Sequence, residues 1–120
     1  MALDLIYFKT TSDDIRERSA NTIRAAFRDQ STKTNVVPTN IFYRLDDDGT
    51  GQVLLDWTSK AVPTLPINYV DIVMTGEQNR ILIDARETER KTLSVMVNRG
   101  LATQFVASFS YSVRNLGWSS

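Results

Sequence analysis

The chain has 120 residues, room for one domain, with 42% apolar and 23% charged residues. Leu, Ile, Val and Phe number 33, which is enough for a core and excludes wholesale disorder. Fourteen basic residues cancel fourteen acidic ones, and locally residues 1–35 carry +1, 36–60 carry −2 and 61–120 carry +1. No stretch therefore has the basic footprint of a nucleic-acid or anionic-membrane surface.

Cysteine and histidine are absent. That removes disulfides, thiolate nucleophiles, zinc-finger sites and a histidine general base, and it points toward binding or structure rather than catalysis. Met1–Phe8 is interrupted by Asp4 and lacks the basic segment of a leader. No window reaches the ~18 apolar residues of a membrane span, so a soluble chain starting at Met1 is expected.

In chain order, Leu3, Leu5, Ile6, Tyr7 and Phe8 form an apolar cluster ahead of polar Lys9–Ser19. This reads as an N-terminal arm over 1–19 that docks on another chain, or that folds back as an extra strand. Ser12, Asp13 and Asp14 also resemble a helix cap, with a helix over Asp13–Asn21. From Ala20 onward the signal is period-two alternation. Ile23, Ala25 and Phe27 share one face, as do Ile41, Tyr43 and Leu45, then Val53, Leu55 and Trp57. Val70, Ile72 and Met74 follow, then Leu93, Val95 and Val97, and finally Phe105 to Val113 at every second residue. Six strands are predicted, with a short seventh at Arg80–Ile83. Asp46–Gly51 and Asn98–Gly100 read as hairpin loops, Gly76–Asn79 as a turn, and the Pro63/Pro66 stretch as a crossing between sheets. The class is an all-β sandwich of 6–7 antiparallel strands over 20–120.

Four groups of residues are candidates for chemistry. Asp46 and Asp48 in Asp-x-Asp-Gly-Thr resemble the first motif of haloacid-dehalogenase-type phosphotransferases, but no βα alternation accompanies them. As a calcium loop, the same stretch puts Trp57 where a bidentate Glu is needed, which leaves only a weak cation site. The mixed run Arg86–Lys91 reads as a solvated loop. Trp57, Phe105, Phe109 and Tyr111 fall at inward positions, so Trp57 is expected in the core, whereas Trp118, close to the C-terminus, is a candidate interface anchor.

The runs Pro38-Thr39-Asn40-Ile41-Phe42-Tyr43-Arg44-Leu45-Asp46 and Gly49-Thr50-Gly51-Gln52-Val53-Leu54-Leu55-Asp56-Trp57-Thr58 carry a resemblance, as do Glu89–Val95 and Val113–Leu116. They resemble small immunoglobulin-like or fibronectin type III-like proteins of tailed-bacteriophage virions, over roughly residues 20–117. The resemblance implies a non-enzymatic virion component, as capsid decoration or head–tail connector. Its partners would be capsid, portal or tail proteins, with the chain itself homo-oligomeric or in many copies. No cofactor, metal, membrane or specific nucleic acid is implied. The competing reading is an adhesion or carbohydrate-binding module, which an exposed aromatic row beside Asn and Asp would favour. The interface candidates are Leu3, Leu5, Ile6, Tyr7, Phe8 and Trp118.

Overall fold

The computed structural model describes residues 3–10, 15–82 and 87–115. Among these there is no helix, and nine strands form two sheets. They are β1 (Leu5–Thr10), β2 (Ile15–Arg16), β3 (Asn21–Asp29), β4 (Thr34–Asn35), β5 (Ile41–Asp47), β6 (Val53–Lys60), β7 (Tyr69–Met74), β8 (Thr88–Val97) and β9 (Phe105–Arg114).

In the first sheet β3 is central. β1 pairs antiparallel along one side of it, from Leu5↔Arg28 to Thr10↔Ile23. β7 and the short β4 share the other side. The second sheet runs β2-β9-β8-β5-β6 and is antiparallel throughout, save that β2 lies parallel to β9 through Ile15↔Val113. Alternation assigns the inner faces. Ile6, Ile23, Ala25, Phe27, Val70, Ile72 and Met74 of the first sheet meet Ile41, Leu45, Leu93, Val95, Val97, Tyr111 and Val113 of the second in one core. The Phe8 and Phe109 rings, 5.6 Å apart, span the two layers. Burying such side chains contributes about 1.5–3 kcal/mol each.

All six alternating runs are strands, the arm takes the second of its two readings, and three expectations change. Residues 5–10 of the arm are a strand of the same fold, because their backbone pairs with β3 and Ile6 enters the core. Ile15 and Arg16 join β9, so no helix occupies 15–21. Arg80–Leu82 form no strand, and Ile83 lies outside the described residues. Trp57 leaves the core: β6 carries two bulges against β5, at Tyr43/Leu45 and Leu45/Asp46. The first places both Asp56 and Trp57 opposite Arg44, so Trp57 is half-buried at the sheet edge while Leu54 and Leu55 pack on the core. The 6–7 antiparallel strands thus become nine with one parallel pair.

The connections are as expected. Gly51 (φ 73°) and Gly100 (φ 82°) take the left-handed conformation within their hairpins. The chain passes from β6 to β7, and so from one sheet to the other, through Pro63 and Pro66. Gly76 is fixed by close approach, since a Cβ there would collide with the Arg18 carbonyl.

Candidate functional site

The hairpin after β5 and the start of β8 place a polar cluster inside the molecule. Asp47 faces Lys91 directly in the β5–β8 register, and Glu89 lies two residues before Lys91 on the same inner face. All three are buried, Asp47 and Lys91 completely. Lys91 Nζ donates to Asp47 Oδ1 at 2.9 Å, Glu89 Oε1 at 3.2 Å and the Arg80 carbonyl at 3.0 Å. Glu89 Oε1 also accepts from the Leu82 N–H at 2.7 Å. The second oxygen of Asp47 accepts from the Thr50 N–H and hydroxyl at 2.9 and 2.8 Å. Burial pushes the Asp47 carboxyl up, but hydrogen bonds from Lys91 and Thr50 outweigh it and hold the group below the usual carboxylate range.

A second buried network lies beside it. Tyr111 donates to Asn79 Oδ1 at 2.8 Å, and Asn79 Nδ2 donates to Asn21 Oδ1 and the Ser19 carbonyl. The two networks tie the 75–82 loop to both sheets.

The three consecutive aspartates do not converge. Alternation turns Asp47 inward, while Asp46 pairs with Arg44 and Asp48 with Arg90 and Thr92. The carboxylates therefore point to different places and are each matched, which argues against the weak cation site. Among the described residues no group of three or more carboxylates could hold a metal. The run 86–91 also departs from the solvated reading, because Glu89 and Lys91 are core positions; Arg86 lies outside the described residues. Both residues were legible by parity, standing at alternate positions ahead of Leu93, Val95 and Val97.

The surface offers two further candidates. On the outer face of the first sheet, Tyr7, Ala26 and Tyr69 are successive cross-strand partners. Arg24 lies 3.9 Å over the Tyr69 ring and pairs with Asp71 at 2.8 Å, so of these two tyrosines it is Tyr7, 45% exposed, that presents an open ring. At the end opposite the Asp47 hairpin, the 61–68 and 98–104 connections emerge together, since Lys60, Ile41 and Val97 are register partners. There Leu65, Ile67 and Leu101 are 51%, 48% and 47% exposed. Thr39 and Asn40 stitch this end through Asn98 and Arg99, at 2.7 Å in each case.

Of the sequence-derived interface residues, Ile6 is core, Leu3 and Phe8 pack against it, Leu5 is half-buried and Tyr7 is exposed. Trp118 lies outside the described residues. Among the described residues there is no pocket. Comparison with protein-family models, curated proteins and solved structures finds no match.

Proposed function

We propose that this chain is a non-enzymatic structural protein of a tailed-bacteriophage particle, serving as capsid decoration or head–tail connector through protein–protein contacts. The observation that carries the reading is the exposed apolar side chains on the connections at one end, Leu65 and Ile67 on 61–68 and Leu101 on 98–104, the second of these connections being stitched to Thr39 and Asn40. Large apolar side chains left exposed at one end of a fold favour burial against another protein. The strand order supports an immunoglobulin-like or fibronectin type III-like assignment. β1, β3 and β7 correspond to A, B and E of that sandwich, and β5, β8 and β9 to C, F and G. The sequence resemblance over 20–117 supplies the virion setting.

The test is incorporation of the Leu65→Asp/Ile67→Asp chain into particles assembled with the remaining virion proteins. The wild-type chain should co-sediment with particles, and the variant should stay in the supernatant with an unchanged melting temperature. A variant that incorporates like wild type would remove the apolar end as the contact. Glycan binding that Tyr7→Ala abolishes would instead favour the adhesion reading.

A further inference from the structure

The Lys91–Asp47–Glu89 arrangement is unusual for a purely structural ion pair. Three ionisable side chains are shut inside a small β fold, and burying charge costs several kcal/mol per ion before attraction is counted. Their neighbours on the inner face, Leu45, Leu93, Tyr111 and Val113, are buried as well. An amine nitrogen is thus held 2.9 Å from a carboxyl oxygen, on adjacent strands, with water kept out and a second carboxylate against the same nitrogen. Such fixed proximity replaces an encounter in solution, where effective molarities reach about 10⁵–10⁸ M for well-oriented groups.

We propose that Lys91 and Asp47 condense to an intramolecular amide that staples β8 to β5, with Glu89 relaying the proton. The ion pair and the neutral amine–acid pair differ only by a proton passed between Lys91 and Asp47, so the reactive form needs no proton from solvent. The neutral Nζ attacks Asp47 Cγ to give a tetrahedral intermediate. Negative charge then grows on Asp47 Oδ2, which already accepts two hydrogen bonds from Thr50, the arrangement that stabilises an oxyanion. Glu89 Oε1 takes a proton from Nζ and returns it to the departing Oδ1 hydroxyl. One C–N bond forms, one C–O bond breaks, one water leaves, and Glu89 ends as it began. No oxidant, metal or energy source enters. The dry surroundings also protect the product, because hydrolysis needs water at Cγ. The inference does not depend on the particle role.

Intact-mass spectrometry of the purified full-length chain tests it. The expected mass is one water below that of the sequence, either at once or after prolonged incubation of the folded protein. A cyclised Asp48–Gly49 would lose the same water, so the site must be mapped. Tryptic digestion should give a branched peptide joining Asp47 to Lys91 and uncleaved after Lys91. Glu89→Gln keeps an acceptor for Lys91 and Leu82 but removes the proton carrier. It should retain the full mass and a β-type circular dichroism spectrum. A wild-type chain that keeps its full mass after incubation, or loses water only at Asp48–Gly49, overturns the proposal. That reading uses the wild-type chain, so it stands even if the variant fails to fold.

Discussion

Tyr111 brings a hydroxyl into the core, and the fold spends a buried asparagine on it. Burial pushes that hydroxyl well above its ordinary range, so it remains a donor to Asn79 at any working pH. Tyr111→Phe keeps the ring but leaves Asn79 Oδ1 without this partner, which should cost about 1–3 kcal/mol in urea unfolding. Asp47 gives a pH dependence with a definite sign. Its folded-state pKa is depressed, so its stabilisation is complete above the unfolded value of about 3.9 and is lost as pH falls through the folded value. The Glu89→Gln chain, in which the Asp47–Lys91 pair stays ionic, shows this directly. Its unfolding free energy should fall on acidification below about pH 4, with no matching loss between pH 5 and 8 from this group. Urea titrations followed by tryptophan fluorescence would measure both effects.

Among the elements, β1 and β6 show how edge strands escape a reading by alternation. Central strands have one face in the core, and in β3, β5, β8 and β9 every apolar residue at the inward parity was found from sequence. β1 runs Leu5-Ile6-Tyr7-Phe8 without a polar break, because its outer face also carries Leu5 and Tyr7. Continuous apolarity thus hid its period. In β6 the two bulges reset the parity, which is why Trp57 fell on the wrong side. β2 and β4, two residues each, are too short to show a period. Glu89 and Lys91 had the right parity but are charged, and charge ordinarily means solvent. Two outcomes follow for the edges. Deleting residues 1–10 removes Ile6 from the core and unpairs one side of β3, so the truncated chain should melt well below the full-length one by circular dichroism. A truncated chain with the full melting temperature would show that β1 contributes no stability. Trp57→Ala should cost less than the ~3–5 kcal/mol of a core aromatic, because the half-buried ring already meets solvent.

At the scale of the molecule, the distinctive feature is that Ile15 and Val113, close to opposite ends of the described chain, are paired in one sheet. Both are buried, so the pair closes the core as well as the backbone ladder. Loops that long are entropically costly to close before their contacts form. By contrast β8 and β9 share one hairpin and pair along ten residues each, from Thr88↔Arg114 to Val97↔Phe105. The hairpin can therefore form while the N-terminal segment is still free, and the β2–β9 pair should come last. A fold dominated by such distant pairings refolds in milliseconds to seconds rather than microseconds. Ile15→Ala removes contacts made after the transition state, so it should speed unfolding while leaving the refolding rate nearly unchanged. Leu93→Ala, in the centre of the β5–β8–β9 ladder, should instead slow refolding. Stopped-flow chevrons of the two variants decide the order. If Ile15→Ala slows refolding as much as Leu93→Ala does, the chain ends meet early and the hairpin is not where folding starts.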